Sequence, residues 1–287
     1  MNEEIVKNRF EAIFSGQKAE IVKRLLGGMS NYTYVMKMNE EYYTFRIPGD
    51  YSEKFVNRDI EKENIKLMEK LGISNETVFL DTVSGEKVSK YIDGISLHTC
   101  EEFPYEKVSM LLKKIHNSGL KAVNNYNPFE RLENYEKVNE DLGFTLPTEY
   151  LDLKNKFLKY KDFLLSQELV LCHGDSQPSN FIINGNDIAV VDFEFSGNND
   201  PIYDIACFAN IKLEHGLNLL NVYFDEVDDD KYNRFLLWRT FQALQWFNVA
   251  TFKDLKGMSE KLKIDFKIVS NKYLALASSL IAKIHEK

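Results

Sequence analysis

The chain has 287 residues, of which 44% are hydrophobic and 28% charged, and its formal net charge is -8. A chain of this length and composition can bury one large core or two smaller ones, which excludes a disordered or fibrous protein. The acidic excess argues against a general nucleic-acid binder, because neutralising phosphates requires a surplus of Lys and Arg.

The sequence has no apolar run of about eighteen residues that could span a bilayer. Its first residues also lack the basic and apolar segments of a secretory signal. We therefore expect a soluble, cytoplasmic protein without a membrane span. The three cysteines, Cys100, Cys172 and Cys207, fit neither a disulfide framework nor a CxxC metal site, and we expect packed thiols.

The first 93 residues have the pattern of a small β-sheet. An amphipathic helix is predicted over 3–14, and apolar positions recurring at threes and fours predict a second helix over 53–71. Segments rich in β-branched and aromatic residues predict five strands, at 21–26, 32–38, 42–47, 77–81 and 87–92. We interpret residues 1–93 as an N-terminal, nucleotide-binding lobe of five strands with one inserted helix.

Beyond residue 93 the pattern becomes mainly helical. Helices are predicted over 105–118, 148–166, 231–252 and 260–285, and short strands over 169–172, 181–183 and 188–191. No repeat or long flexible linker interrupts the chain, so we interpret the division near residue 93 as a hinge within one functional unit. We expect residues 94–287 to form a C-terminal lobe that carries the catalytic loop, the metal site and the substrate site. The predicted fold class is α+β, with two lobes.

Polar residues concentrate at the ends of the short strands of the second lobe. The segment His173-Gly174-Asp175 is followed by Asn180 five residues after the aspartate and by Asp192 seventeen residues after it. Phosphoryl transfer needs a carboxylate that orients the attacking hydroxyl, and an amide oxygen and a second carboxylate that hold Mg²⁺ against the nucleotide phosphates. We predict that Asp175 is the base and that Asn180 and Asp192 are the metal ligands.

Different chemistries are open to the same segment. His173 could act in acid–base catalysis. A histidine two residues before the aspartate can also hold a catalytic turn in place, and this bracing role is favoured. Cys172 would need His173 as its base to act as a nucleophile. His173, Asp175, Asp192 and Glu194 could together bind a hydrolytic metal, although such a site would not require Asn180.

A kinase also needs groups that hold phosphates. The glycine-rich loop 26–31, with Gly28, Ser30 and Asn31, lies between the first two strands, where backbone N–H groups can approach an anion. A plain hairpin turn would have the same glycines.

Arg46 is a cation inside an apolar strand. An unpaired charge there is costly, so a carboxylate partner is expected unless the side chain snorkels from an edge strand. The predicted helix offers Glu61 or Glu63, and Glu61 is preferred. Such a pair positions nucleotide phosphates in kinases.

From the glycine loop to Trp246, and above all in HGDxxxxN and VVDFEFS, the chain resembles choline/ethanolamine kinases of the aminoglycoside phosphotransferase superfamily, especially the bacterial LicA-type choline kinases. The resemblance implies a bilobal protein-kinase-like fold that uses ATP and Mg²⁺. It also implies that Tyr91 and Ile92 lie near the adenine and that Asp204 braces the catalytic loop. From the residues alone, Asp204 is only an acid early in a helix.

The resemblance further implies a small amino-alcohol substrate, with choline as the leading candidate. A quaternary ammonium binds aromatic faces with about 1–2 kcal/mol per desolvated contact. Candidate substrate-binding residues are Tyr203, Trp246, Phe195, Trp238 and Glu194, of which Glu194 could instead bind metal.

The aromatic residues among these candidates, Tyr203, Trp246, Phe195 and Trp238, would form a cage around the ammonium group. Both this cage and the choice of substrate are open to a second interpretation. Aromatic residues at helical spacing, such as Trp238, also suit a core. Val249 stands where LicA-like choline kinases tend to have a second Trp, so a thinner cage could favour ethanolamine or a related amine. The same scaffold could also belong to an aminoglycoside kinase or to a catalytically silent nucleotide-binding protein, and the intact Asp175, Asn180 and Asp192 argue against the silent protein.

Overall fold

The computed structural model describes residues 2–25 and 31–284. The chain forms two compact units. Unit 1 comprises Met1–Phe103, Ala122–Asn124 and Pro178–Ser196, and unit 2 comprises Pro104–Lys121, Asn125–Gln177 and Gly197–Lys287. Unit 1 therefore includes a late segment of the chain that carries Asn180 and Asp192.

The elements follow in chain order. The strands are β1 Glu20–Leu25, β2 Asn31–Met38, β3 Glu41–Pro48, β4 Thr77–Leu80, β5 Lys87–Lys90, β6 Ile95–Ser96, β7 Val170–Cys172, β8 Phe181–Asn184, β9 Asp187–Val190 and β10 Gly197–Asn199. The helices are α1 Glu3–Ile13, α2 Arg58–Lys70, α3 Tyr105–His116, α4 Pro128–Glu140, α5 Thr148–Leu158, α6 Lys161–Leu165, α7 Pro201–Cys207, α8 Leu213–Tyr223, α9 Asp229–Leu255, α10 Met258–Leu262 and α11 Phe266–Ile281.

Unit 1 is built on an antiparallel sheet of five strands in the order β1-β2-β3-β5-β4, with α2 inserted between β3 and β4. Helix α1 packs Val6 and Phe10 into the same hydrophobic core as Phe45 of β3. The predicted arrangement of five strands and one inserted helix is confirmed. Helix α2 begins later than predicted, because the side chain of Asn57 caps it by accepting the N–H groups of Asp59 and Ile60.

Unit 1 also contains a sheet of three strands, in the order β6-β8-β9. Strands β8 and β9 form an antiparallel hairpin in which Phe181 pairs with Val190. Gly94 precedes this sheet with φ +145°, and a Cβ there would lie 2.5 Å from the carbonyl oxygen of Ile183. Only glycine fits that approach to the hairpin.

Unit 2 is mainly helical and contains a two-stranded sheet of β7 and β10. The long helix α9 packs against α4, α7 and α11, and most of its residues are buried. None of the helices in the described ranges is long and apolar enough to cross a membrane.

Helix boundaries in unit 2 differ from the prediction in several places. The helix expected over 148–166 is two helices, α5 and α6, and the one expected over 260–285 is α10 and α11, separated where Lys263 takes a left-handed φ of 55°. Helix α4 was not predicted. It buries Glu136 and Asn139 beside apolar residues, so the sequence of its buried face lacks the regular spacing of apolar residues that predicts a helix.

Candidate active site

The hairpin of unit 1 brings Asn180 and Asp192 together. Asn180 directly precedes β8, Asp192 follows β9 by two residues, and the N–H of Val191 donates to the carbonyl oxygen of Asn180 at 2.9 Å. Asp192 has a left-handed φ of 73°, a strained conformation for a residue other than glycine that is typical of functional sites. Its side chain is 31% exposed. The hairpin thus brings the backbones that carry an amide and a partly exposed carboxylate close together, and these are the oxygen ligands that Mg²⁺ prefers.

Arg46 of β3 lies beside this pair and is held by Glu61 of α2. The two NH groups of Arg46 donate to the two carboxylate oxygens of Glu61 at 2.6 and 2.9 Å, and NH1 also reaches Asp192 Oδ1 at 3.3 Å. Lys87 contributes a third contact to Glu61, at 3.4 Å. Glu61 is fully buried. Glu63, the second candidate partner of Arg46, instead pairs with Lys66 at the surface.

Glu194, predicted to bind substrate or metal, belongs to the same cluster of charged side chains. The cluster comprises Arg46, Arg58, Glu61, Lys87, Asp192 and Glu194. Its Oε2 accepts from Arg58 NH1 at 2.8 Å, from Arg46 NH1 at 3.4 Å and from Asn31 Nδ2 at 3.3 Å. Arg58 also contacts Glu61 at 2.7 Å. Arg58 was not predicted from the sequence, although its position three residues before Glu61 on a helix is a recognisable pairing signal.

The cluster balances its charges. Burial alone would raise the pKa of Glu61, but Lys87, Arg46 and Arg58 together hold it well below its usual range. Burial raises the pKa of Glu194, and the neighbouring Asp192 adds to this effect. The arrangement keeps Glu61 ionised and fixes Arg46 against Asp192.

Gly85 closes the turn between β4 and β5 over these guanidinium groups. Its carbonyl oxygen accepts from Arg46 NH2 at 3.3 Å. It has a φ of +73°, and a Cβ there would lie 2.7 Å from Pro48 Cγ and 3.0 Å from Arg58 Nε. Glycine is required because the backbone has a positive φ and because the neighbouring side chains leave no room for a Cβ atom.

The remaining predicted nucleotide-binding residues are placed as follows. Gly28 and Ser30 lie outside the described residues. Tyr91 and Ile92 follow β5 and are half-buried. The N–H of Tyr91 donates to the carbonyl oxygen of Tyr42 at 2.9 Å. Their contact with a nucleotide stays a prediction, as does a binding role for the half-buried Phe195 in unit 1.

In unit 2, Asp204 of α7 holds the loop that carries Asp175. Its carboxylate accepts the backbone N–H groups of His173 at 2.7 Å and Gly174 at 2.9 Å, and its carbonyl oxygen accepts from Ser176 Oγ at 2.6 Å. Burial alone would raise the pKa of Asp204, but a hydrogen bond from His116 and the contacts with the loop hold it below its usual range. An ionised carboxylate at this position fixes the loop backbone.

Two histidines support this arrangement. His116 Nε2 lies 3.0 Å from Asp204 Oδ2, and its Nδ1 lies 2.9 Å from the hydroxyl of Tyr223. His173 Nδ1 accepts the backbone N–H of Asp175 at 3.2 Å, a contact that fits the bracing role. His116 was not predicted, because nothing in its local sequence distinguishes it from a packed helix residue.

Asp175 itself is half-buried, and its Oδ2 accepts from Gln177 Nε2 at 3.0 Å. Burial raises the pKa of the neighbouring Cys172 well above its usual range, so this residue is a thiol at neutral pH. A buried thiol argues against the nucleophile considered above.

The candidate cage residues occupy different environments. Tyr203 is 1% exposed, and its hydroxyl lies 2.6 Å from that of Tyr126. Trp238 is also buried, and its Nε1 donates to Asp200 Oδ2 at 2.8 Å. Trp246, by contrast, is half-buried and stacks on Tyr273 of α11 with ring centroids 6.4 Å apart.

The antiparallel sheet with its inserted helix and the mainly helical unit 2 are the architecture of a protein-kinase-like fold. The sequence matches the choline/ethanolamine kinase family over residues 22–222. The chain belongs to the choline/ethanolamine kinase family.

Individual relatives agree with this assignment. The chain is 24% identical to protein LicA of Haemophilus influenzae over 250 residues, which cover 81% of this chain and 73% of the relative. A crystal structure of LicA in complex with AMP is 26% identical, covers 99% of both chains and has a TM-score of 0.80. Choline kinase LicA from Streptococcus pneumoniae is 25% identical, with 95% of this chain and 98% of that chain covered and a TM-score of 0.76. The predicted fold and family are confirmed.

Proposed function

We propose that the protein transfers the γ-phosphoryl group of ATP to the hydroxyl of a small amino-alcohol, with choline as the substrate. The observation that carries the proposal is the set of contacts around Asp192. A strained aspartate follows Val191, which is hydrogen-bonded to the backbone of Asn180, and it is contacted by Arg46, whose guanidinium is fixed by Glu61. This set suits the neutralisation of transferred phosphate charge.

Each residue has one role in the proposed reaction. Arg46 binds nucleotide phosphates, and Glu61 keeps its guanidinium in place. Asp175 orients the substrate hydroxyl and accepts its proton as the oxygen attacks the γ-phosphorus. Asn180 and Asp192 would hold Mg²⁺, which neutralises charge on the phosphate oxygens when it is bound. Asp204 and His173 position the backbone that carries Asp175.

Trp246 and Tyr273 form the aromatic surface proposed for the substrate ammonium. The two rings stack with an interplanar angle of 23°, and both are half-buried, so part of each ring is accessible. A cation over such faces gains about 1–2 kcal/mol per desolvated contact. Tyr203 and Trp238 are not used, because their rings are covered by the core. The similarity to choline kinase LicA supports choline.

Ethanolamine is the second candidate. Val249, one turn after Trp246 on α9, is 7% exposed and provides no aromatic face. A primary ammonium is smaller than a quaternary one and donates hydrogen bonds, so it depends less on a complete cage.

The test is an ADP-release assay with MgATP and a panel of choline, ethanolamine, thiamine and kanamycin. We expect choline to give the largest kcat/KM. Asp175→Ala should lower kcat by about 10² to 10⁴, because a positioned base is lost. Asp152→Ala is the matched control, since this exposed aspartate lies on α5 of the same unit and should leave turnover unchanged.

Each contrary outcome points to a different function. A higher kcat/KM with ethanolamine or kanamycin than with choline would replace the proposed substrate. If no alcohol of the panel stimulates ADP release while ATP still binds, the protein is a silent nucleotide-binding protein. Trp246→Ala and Tyr273→Ala should each raise the KM for choline about tenfold, as expected for the loss of one cation–aromatic contact.

A further inference from the structure

Arg239 of α9 is a buried cation whose hydrogen bonds go to neutral amide groups. It is 2% exposed. Its NH1 donates to Gln242 Oε1 at 3.2 Å and its NH2 to Asn210 Oδ1 at 3.4 Å. Within residues 2–25 and 31–284, no carboxylate oxygen forms an ion pair with it. Burying a charge without a counter-charge is costly, so this arrangement requires a physical reason.

The hydrogen bonds continue from Arg239 to the proposed base. Asn210 Nδ2 donates to Gln177 Oε1 at 2.8 Å. Gln177 Nε2 in turn donates to Asp175 Oδ2 at 3.0 Å. Two side-chain amides therefore connect a buried guanidinium to the carboxylate of Asp175, entirely within unit 2.

The chemistry of the two ends fixes the direction of this chain of hydrogen bonds. A guanidinium can only donate hydrogen bonds, and an ionised carboxylate can only accept them. Asn210 must therefore present its oxygen to Arg239 and its NH₂ group to Gln177, and Gln177 must present its NH₂ group to Asp175. Hydrogen bonds aligned head to tail in a low-dielectric interior polarise and strengthen one another.

We propose that Arg239 is a positioning residue for Asp175, acting through the amides of Asn210 and Gln177. The inference rests on the proposed function, because it assigns a role to the base of that reaction. The positive end of the hydrogen-bonded chain orients both amides, and the last amide holds the Asp175 carboxylate in one rotamer. Arginine suits this position since its guanidinium stays charged when buried and binds two amides at once.

A second effect of Arg239 concerns the substrate ammonium. Arg239 and Trp246 are seven residues apart on α9, so they share one face of the helix and lie about 10 Å apart along its axis. Burial raises the pKa of Tyr273, whereas Arg239 opposes this rise, which indicates that the guanidinium acts on the proposed cage. Removing the charge should therefore improve the binding of a cation while impairing the chemical step.

The experiment compares four variants of the full chain. The phosphoryl acceptor is the alcohol that gives the highest kcat/KM in the ADP-release assay. Arg239→Met should lower kcat about tenfold, the effect expected for the loss of a charge-assisted hydrogen bond, and should lower KM for a cationic acceptor. Arg239→Lys keeps the charge and should restore part of the lost kcat. Lys253→Met is the matched control, because it removes another buried cation from the same helix and should leave kcat unchanged.

Asn210→Asp separates the proposed role from a structural one. The new carboxylate would pair with Arg239 and should preserve or raise Tm. It cannot donate to Gln177, however, so the amide of Gln177 should turn over and direct its oxygen at Asp175. We expect kcat to fall at least as much as in Arg239→Met. A more stable protein with a lower kcat is an outcome that a purely structural Arg239 would not give.

The proposal is overturned if Asn210→Asp and Arg239→Met both keep kcat within about twofold of the parent chain. A readout independent of turnover is the NMR resonance of the Gln177 side-chain amide, which should shift in Arg239→Met and not in Lys253→Met. An unchanged Gln177 resonance refutes the chain of hydrogen bonds even if the panel contains no acceptor. Failure of the proposed function is seen separately, as absence of turnover in the parent chain.

Discussion

Arg239 of unit 2 is held differently from the buried arginines of unit 1. In unit 1, Arg46 and Arg58 meet the carboxylates of Glu61 and Glu194 at 2.6 to 2.9 Å. In the described part of unit 2, Arg239 meets amide oxygens instead, at 3.2 and 3.4 Å. The first arrangement neutralises charge where phosphates are proposed to bind. The second leaves the charge uncompensated, so that it acts on its neighbours through hydrogen-bonded dipoles.

The largest expected effect comes from breaking the cluster of unit 1. Glu61→Gln removes the carboxylate from three cations and leaves Arg46 buried beside weaker partners. We expect a loss of about 3–5 kcal/mol in the free energy of unfolding, as is typical when one partner of a buried ion pair is removed. Urea unfolding followed by circular dichroism measures it.

A control and a double variant sharpen this prediction. Glu63→Gln changes an exposed pair of the same helix and should cost under about 0.5 kcal/mol. The combined Arg46→Met and Glu61→Leu removes both charges and should recover much of the lost stability while ATP affinity falls. Equal stability losses in Glu61→Gln and Glu63→Gln would show that the cluster contributes no more than a surface pair.

A smaller effect is expected from Asp204 in unit 2, where a carboxylate is satisfied by backbone N–H groups. Asp204→Asn places an NH₂ group against one of the two donors from His173 and Gly174. We expect a loss of about 2–3 kcal/mol in stability, the cost of one unsatisfied buried donor near a charge, together with a lower kcat. Urea unfolding and the ADP-release assay measure the two effects.

Asp265 provides the matched control for Asp204. It caps α11 by accepting the N–H of Ile268 at 2.9 Å in an exposed position. Asparagine caps helices equally well, so Asp265→Asn should be neutral within about 0.5 kcal/mol. Similar losses in the two variants would contradict the view that Asp204 depends on its negative charge.

Much of this organisation could be predicted from the sequence, because local patterns encode it. A lone cation in an apolar strand led to Arg46, and the following helix offered Glu61, the preferred partner, or Glu63. The HGDxxxxN motif and the following Asp192 identified the loop and the hairpin, since their functions depend on short sequence separations. The five strands were recognisable from their composition and turns.

The remainder depends on contacts between residues far apart in sequence. His116 reaches Asp204 from α3, and Tyr273 reaches Trp246 from α11, which no local pattern indicates. Tyr203 is a candidate for the cage because it is aromatic, yet the fold buries it. Arg239 resembles any basic residue of a long helix until its burial and its neutral partners are known.

Lys253 provides the smallest expected effect and a different test of buried positive charge. This residue of α9 is 6% exposed and lies over the ring of Phe266. Burial lowers the pKa of its ammonium group to about 8. An unfolded lysine has a pKa of about 10.4. The folded state therefore disfavours the charged ammonium group relative to the unfolded state.

The sign of the pH dependence follows from these two values. Below about pH 8 the folded protein carries the full cost of a desolvated ammonium. As pH rises from about 8 to 10.4 the folded state releases its proton more readily than the unfolded state, and this cost disappears. Lys253→Met should therefore raise the free energy of unfolding by about 2 kcal/mol near pH 7 and by about 0.5 kcal/mol near pH 10. Denaturant unfolding of both proteins at the two pH values gives the difference, in which the titration of groups common to both proteins cancels. A gain of equal size at both pH values would mean that apolar packing by the methionine, rather than relief of a buried charge, stabilises the variant.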